Sequence, residues 1–275
     1  MPAAARAMLM NSSPTERPRP IREFVAPTVE EFRTEILPSK EPAVLRGIAN
    51  QWPLVTAGRQ SAGRIADLLA KNATATEARF LRADPELEGR FHYGDDTQSM
   101  NFIHGHGNLP GLIAALREQE QADRPFAMAA QSLLADQFVN GFSAAHPMPF
   151  VPSSAEPRLW IGNAAKVATH RDSYENVAVV AAGRRRFTLF PPAAEQYLYM
   201  GPADPTPGGT PVSMVHLTAP DLDRFPRFAK AQPMAVEAEL SPGDAIYIPM
   251  GWFHHVEALE RFNVLVNYWW DPEDE

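Results

Sequence analysis

The sequence predicts a mostly β (α+β) protein in which a helical N-terminal layer packs on a C-terminal β-barrel. Two observations carry this prediction: helical spacing of apolar residues is confined to the first 130 residues, and short apolar segments broken by turns dominate from about Arg158 onward. The 27 prolines are spread along the whole chain, which suits many short strands better than long helices. With 275 residues, 45% of them hydrophobic, the chain can build one domain with a sizeable core.

Three helices are expected in the N-terminal half. Thr28 and Glu31 have the spacing of a capping box, Ser61 precedes a second apolar-periodic segment, and Pro110 opens a third. The apolar residues of the last two segments share one helical face each: Ile65, Leu68 and Leu69, then Leu112, Ile113 and Leu116. Short strands are expected between the helices, at residues 43–46 and 78–82.

The C-terminal half reads as strands and turns. The candidate strands are residues 159–162, 176–181, 186–190, 235–240, 245–249 and 263–270. A long segment rich in proline and glycine, residues 201–232, is expected to be functional or partly structured. We therefore expect a flexible leader over residues 1–20 and a single domain over 21–275, with the β-barrel core at about 158–270.

Composition limits the function. The formal net charge of −8 disfavours binding to nucleic acid, because an acidic surface repels phosphates. The absence of cysteine leaves His, Asp and Glu as the ligands for any metal. No run of 18 apolar residues indicates a membrane span, and the N-terminus has no apolar stretch typical of a secretory signal, so a cytoplasmic protein is expected.

One candidate metal motif is the segment Thr169-His170-Arg171-Asp172. On a strand, residues i and i+2 share a face, so His170 and Asp172 can point at one ion. His254, in the later pair His254-His255, is the candidate third ligand. Two histidines and one carboxylate on one face are the signature of non-haem Fe(II) oxygenases, although His-x-Asp alone is more often a surface pair.

A longer pattern carries a resemblance to a known family. It consists of residues 183–192 (GRRRFTLFPP), 198–202 (LYMGP), 213–216 (SMVH), 220–228 (PDLDRFPRF), 242–255 (PGDAIYIPMGWFHH) and 267–269 (NYW), preceded by 41–47 (EPAVLRG) and 51–53 (QWP). The chain resembles the cupin-like branch of the Jumonji C family of Fe(II)- and 2-oxoglutarate-dependent oxygenases, the branch of the hypoxia-inducible factor asparaginyl hydroxylase. The resemblance spans about residues 159–270 and implies a double-stranded β-helix, also called a jelly roll.

The resemblance also implies a site. The metal ligands would be His170, Asp172 and His254, with His255 packed beside them. The residues expected around the co-substrate are Arg185, Asn176, Asn267 and Thr169. Arg185 would pair with the distal carboxylate of 2-oxoglutarate, because a guanidinium can grip a carboxylate bidentately.

The implied reaction uses Fe(II), 2-oxoglutarate and O2 to hydroxylate an amino-acid side chain in a protein or peptide. An oxygenase acting on a small molecule, lysine demethylation, and a cupin-fold metal-binding protein without oxygenase activity remain alternatives. A metal-dependent cupin isomerase would need more His and Glu ligands than residues 169–176 offer.

The sequence departs from the family pattern in three places. A threonine of the family is replaced by Val167, with Thr169 nearby, and a tyrosine that donates to the co-substrate aligns with Met128. Tyr93 or Tyr174 could supply the missing hydroxyl. The C-terminal helices with which some relatives dimerise are absent from this sequence, so an oligomer would need another interface.

Other histidines are interpreted more simply. The pair His104-Gly-His106 is expected in a loop without a metal, and His216 is expected at a surface loop position.

Overall fold

The computed structural model describes residues 18–274 and contains two large β-sheets. Its strands, β1 to β15 in chain order, are Arg19–Pro20, Arg22–Val25, Ala43–Arg46, Glu77–Ala83, Arg90–Phe91, Ile103–Asn108, Ala127–Leu134, Pro157–Gly162, Lys166–Arg171, Glu175–Ala182, Arg185–Phe190, Val236–Leu240, Ala245–Ile248, Phe253–Ala258 and Asn263–Trp270. The helices, α1 to α7, are Val29–Glu31, Leu37–Ser39, Pro53–Gln60, Ala62–Asn72, Leu109–Gln119, Ala135–Phe138 and Phe142–Ala145, with a π-helical turn at Phe32–Ile36 between α1 and α2.

The two sheets form the predicted double-stranded β-helix. One sheet has the order β1-β12-β11-β14-β9-β5, and the other has the order β2-β3-β13-β10-β15-β8-β7-β4-β6. From β8 to β15, successive strands alternate between the sheets, except that β11 and β12 are neighbours in the six-stranded sheet, as in a jelly roll. The predicted β-rich class is therefore confirmed.

Strand β10 shows how the layers are held together. Its eight residues are all buried, and the side chains of residues 177–181 alternate between two apolar clusters. Ala178 and Val180 pack with residues of the six-stranded sheet, whereas Val177 and Val179 pack with the N-terminal helices. A strand that is buried on both faces has a continuous run of apolar residues in its sequence, and the segment from Val177 to Ala182 is such a run.

The helices begin where the sequence predicts. The side chains of Thr28, Ser61 and Asn108 each accept a hydrogen bond from the backbone N–H three residues later, at 3.0, 3.1 and 2.9 Å. Such caps satisfy amide groups that the first helical turn leaves without partners. In α3, a Cβ on Gly58 would lie 2.1 Å from the carbonyl oxygen of Ala181, so glycine allows this helix to lie directly on β10.

The N-terminal half contains more β-structure than the sequence indicated. The expected strands at residues 43–46 and 78–82 are β3 and β4, and the strands that were not expected, β2, β6 and β7, lie beside them in the nine-stranded sheet. Of the expected leader, residues 1–17 lie outside the described part of the chain, while Arg19–Pro20 pair with β12 as β1. The segment 201–232 is partly structured, with a 3-10 turn at Pro226–Lys230 whose Phe228 is buried.

No helix within residues 18–274 is long and apolar enough to cross a membrane.

Candidate metal centre and co-substrate pocket

Two neighbouring strands bring the predicted metal ligands together. His170 on β9 and His254 on β14 are direct partners across the antiparallel pair, and their ring centroids lie 4.2 Å apart. Asp172 follows the last residue of β9 and folds back toward both rings. The sheet register therefore unites residues that are far apart in the sequence.

The spacing of these three side chains fits one shared ion. The Nε2 atom of His170 lies 3.9 Å from Oδ1 of Asp172, and Nε2 of His254 lies 3.6 Å from Oδ2 of Asp172. Two atoms that each bind one ion at about 2.1 Å can be at most about 4.2 Å apart, and both distances satisfy this limit. Within residues 18–274, this is the one group of His, Asp and Glu side chains close enough to hold a metal.

Backbone carbonyls orient both imidazoles. Nδ1 of His170 lies 2.8 Å from the carbonyl oxygen of Ala168, and Nδ1 of His254 lies 3.4 Å from that of Trp252. A proton on Nδ1 leaves the Nε2 lone pair of each ring free for a metal. Burial, aided by the nearby His170 and opposed by Asp172, lowers the pKa of His254 to about 4, so this imidazole is neutral near pH 7.

Arg185 lies in the same pocket and is the cation predicted for the co-substrate. It follows the turn at Gly183, whose φ is +72°, and it is buried at 7% exposure. Burial lowers the pKa of its guanidinium to about 10, so the group stays charged near pH 7. Its buried Nε has no hydrogen-bond partner in the described chain, so the pocket contains an unsatisfied positive group.

The two asparagines also line this pocket. Nδ2 of Asn176 lies 3.4 Å from Oδ2 of Asp172, and Oδ1 of Asn267 accepts a bond of 2.7 Å from Nε1 of Trp160. The carboxamide oxygen of Asn176 and the indole nitrogen of Trp269 are buried without partners. Polar groups left open in this way fit a bound polar ligand, because buried donors and acceptors are otherwise paired.

The structure does not place Thr169 in the pocket. The pairing of β9 with β14 shifts register between His254↔His170 and Val256↔Val167, so β9 carries one extra residue at this point. The bulge puts Val167 and His170 on the same wall of the pocket, although they are three residues apart. The backbone carbonyl of buried Thr169 instead accepts a bond from the N–H of Ser213.

Among residues 18–274, no tyrosine lines this pocket in place of the family hydroxyl. Met128 belongs to the core beneath the N-terminal helices, and the Tyr93 hydroxyl donates to the carbonyl of Pro202. Tyr174 is half exposed and stacks on Trp269, with ring centroids 6.4 Å apart. The lining residues in the described chain include no tyrosine, serine or threonine, so the neutral donors that remain are the open indole N–H of Trp269 and the carboxamides of Asn176 and Asn267.

Sequence reasoning missed most of the pocket wall. The apolar residues that close it are Val167, Ala178, Phe187, Ile248, Val256 and Leu265, with Trp160 beside them. Trp160 and Trp269 both contact the cavity. Trp252, by contrast, packs in the core, and its indole donates to the carbonyl of Lys40.

The remaining histidines fall outside this pocket. His104 and His106 lie on the exposed edge strand β6, so the prediction of a loop was wrong. His216 is half-buried rather than a surface residue. His255 is buried on the face of β14 opposite to His254, as the alternation of a strand requires.

Comparison with known families agrees with this architecture. The family model described as a cupin-like domain matches residues 29–275, which is nearly the whole chain. The chain belongs to the cupin-like family of Jumonji C type. Its barrel is therefore that of a cupin-like Jumonji C protein, and the cluster of His170, Asp172 and His254 that could hold a metal lies within that barrel.

Curated relatives of this cupin-like protein carry several different names. It is 38% identical over 122 residues to HSPB1-associated protein 1 of Homo sapiens, an alignment that covers 44% of this chain and 24% of the relative. It is 37% identical over 113 residues to lysine-specific demethylase JMJ31 of Arabidopsis thaliana, covering 41% and 20% of the two chains. It is 28% identical over 278 residues to tRNA wybutosine-synthesizing protein 5 of Mus musculus, covering 93% and 79%.

The cupin-like chain spans only part of several relatives. For the HSPB1-associated proteins of Homo sapiens, Rattus norvegicus and Bos taurus, the matched share of the relative is 24%, 25% and 52%.

Proposed function

We propose that this protein is an Fe(II)- and 2-oxoglutarate-dependent oxygenase that hydroxylates an amino-acid side chain in a protein or peptide. One observation carries the proposal: a buried, unpaired Arg185 shares a pocket with the three side chains that can hold a metal. A protein that only bound metal would gain nothing from keeping this charge buried, because an unpaired buried charge destabilises the fold.

The residues of the pocket fit both groups. His170, Asp172 and His254 offer two neutral nitrogens and one carboxylate, a donor set suited to Fe(II) that leaves positions open for other ligands. Arg185 would hold the distal carboxylate of 2-oxoglutarate by a charge-assisted hydrogen bond. When bound, Fe(II) and 2-oxoglutarate activate O2, so that 2-oxoglutarate is oxidised to succinate and CO2 while a substrate C–H becomes C–OH.

The protein's own contribution is positioning and exclusion of water. The carbonyls of Ala168 and Trp252 fix the two rings, and Asn176 holds Asp172 through its carboxamide. The apolar wall keeps water from the reacting groups, which strengthens every electrostatic contact inside the pocket.

The proposed substrate class is supported by the names of the relatives and by the net charge of the chain. The lysine-specific demethylase by name acts on lysine, and an acidic chain with a net charge of −8 favours a neutral or basic partner. The alignment with the tRNA wybutosine-synthesizing protein, which covers 93% of this chain, supports a second candidate, an oxygenase acting on a modified nucleoside of tRNA.

The decisive experiment follows 13C-labelled 2-oxoglutarate by NMR in the presence of Fe(II), ascorbate and air. We expect succinate from the wild type and none from Asp172→Ala. Loss of the carboxylate removes one of the three metal ligands and weakens metal binding by about tenfold or more. Asp123→Ala, an exposed acid far from the pocket in sequence, is the matched control and should keep full turnover.

Two further arms separate the alternatives. Calorimetric titration that shows metal binding but no binding of 2-oxoglutarate would leave a metal-binding cupin in place of the oxygenase. If turnover is present, stimulation by peptides supports the proposed substrate class, while stimulation by tRNA alone supports the second candidate.

A further inference from the structure

A second cavity lies on the opposite face of the strands that carry the metal ligands. We call it the rear cavity, and it is lined by the basic side chains of Arg90, His92, Lys166, His216 and His255 together with Thr218 and apolar residues. It is small, about 20 Å³, so it suits a group of a few atoms rather than a metabolite. The proposed oxygenase reaction makes no use of it.

The unpaired ring of His255 is the observation that points to a ligand in this cavity. The residue is 5% exposed, and neither of its ring nitrogens has a hydrogen-bond partner among the described residues. A neutral imidazole always presents one N–H donor and one acceptor, and leaving them unpaired in the interior costs free energy. The nearest carboxylate oxygen, Oε1 of Glu257, lies 3.8 Å from Nε2, beyond hydrogen-bonding distance.

The other polar groups around the cavity are mostly donors or cations. The ring of His92 lies 5.2 Å from that of His216, and its Nε2 lies 2.9 Å from the carbonyl oxygen of Ser213. The guanidinium of Arg90 donates through Nε to the carbonyl of Leu87, and no carboxylate within residues 18–274 forms an ion pair with it. Its remaining N–H groups can therefore donate to a ligand.

Among the described residues, the lining of the rear cavity has two cations, Arg90 and Lys166, and no carboxylate. Burial, followed by the neighbouring His92 and Arg90, lowers the pKa of His216, so this imidazole adds no positive charge near pH 7. Two acids lie beside these groups without a close contact: Oε2 of Glu88 is 3.9 Å from Nζ of Lys166, and Oε1 of Glu257 is 3.8 Å from Nε2 of His255. A cation would be repelled here, and a metal site is not preformed, because the histidines of this cavity do not form a metal-ligating group in the described chain.

We propose that the rear cavity binds a small oxyanion of about the size of formate. The anion would accept hydrogen bonds from Arg90, Lys166 and the N–H of His255. Because His255 and His254 are consecutive residues of β14, the bound anion would hold the back of the strand whose front carries a metal ligand. This proposal does not depend on the oxygenase reaction.

The test is an NMR titration of the metal-free, 15N-histidine-labelled full chain with sodium formate. Ionic strength is held constant with a bulky sulfonate that the cavity cannot admit. We expect saturable shifts of the His92, His216 and His255 resonances, with the same Kd in Arg64→Gln, which removes an exposed cation elsewhere. In Arg90→Gln and in Lys166→Gln the Kd should rise about tenfold or more, because each loses a charge-assisted hydrogen bond.

Size-matched methylammonium serves as the opposite-charge probe and should cause no saturable shift. Three results would overturn the proposal: no saturation with formate, equal binding of methylammonium, or an unchanged Kd in both cavity variants. The first of these would assign the cavity to an ordered water. Two separate cavity variants are used so that failure of one to fold does not end the test.

Discussion

Replacing Arg185 by methionine should have opposite effects on ligand binding and on stability. Methionine keeps much of the volume but removes the charge and the open Nε donor. If 2-oxoglutarate pairs with this guanidinium, its affinity should fall by about 2–5 kcal/mol, which is roughly thirtyfold to several thousandfold in Kd.

The stability of the ligand-free protein should not fall in parallel. Burial lowers the pKa of Arg185 from 12.5 to about 10, which corresponds to a cost of about 3 kcal/mol for keeping the guanidinium charged. Arg185→Met removes that cost, so the free energy of unfolding should stay level or rise by up to about 3 kcal/mol, or a few degrees in Tm. A lower affinity for 2-oxoglutarate together with an equal or higher free energy of unfolding is what we expect when a buried charged group serves ligand binding and destabilises the ligand-free fold.

The assays are calorimetric titration of 2-oxoglutarate into the Mn(II)-loaded protein and thermal unfolding without ligand. Arg185→Lys should bind with intermediate affinity, because lysine keeps the charge but not the planar fork. Arg184→Met is the matched control, since Arg184 is half exposed and paired with Glu239 and Glu260, and it should change both quantities by less than about 1 kcal/mol. A Kd for Arg185→Met within threefold of the wild type would refute the assignment of the carboxylate site.

Two further predictions concern the fold. Burial lowers the pKa of His146 from its ordinary 6.5, and the neutral ring accepts a hydrogen bond at Nε2 from the N–H of Leu54. The contribution of this neutral ring to the free energy of unfolding is therefore complete above about pH 6.5. It is lost as the pH falls, by up to about 1.4 kcal/mol per pH unit. His146→Gln should make the free energy of unfolding, measured by urea denaturation between pH 7 and 5, depend less steeply on pH, and an unchanged slope would contradict this reading. Glu175 is 1% exposed and accepts from Tyr247 and Met250, so Glu175→Gln should lower the free energy of unfolding by about 1–3 kcal/mol, whereas the exposed control Glu195→Gln should change it by less than about 1 kcal/mol.

Periodicity made much of this fold predictable. The caps at Thr28 and Ser61 and the apolar runs of the barrel strands follow from local rules of hydrogen bonding and burial. The strand β6 did not, because its sequence IHGHGN contains two glycines and lacks the apolar alternation of a buried strand. Its place at the exposed edge of the sheet explains why that alternation is missing.

The site was predictable where it rests on i, i+2 spacing and not where it rests on a bulge. His170 and Asp172 could be paired from their spacing, and His254 from the family pattern. Thr169 could not be judged in the same way, because the extra residue in β9 is set by pairing with β14, a contact that no local pattern shows. The open indole of Trp269 likewise depends on the surrounding barrel, since nothing in its own segment distinguishes it from a core residue.

The cross-strand position of His170 and His254 has a consequence for the lifetime of the protein. An ion held by both rings would act as a reversible cross-link that closes a long loop containing β10 to β13. Closing such a loop restricts the unfolded chain, and metal bound only by the folded state adds its binding free energy to folding. Iron supply would then set not only the activity of the chain but also how long it survives proteolysis in the cell.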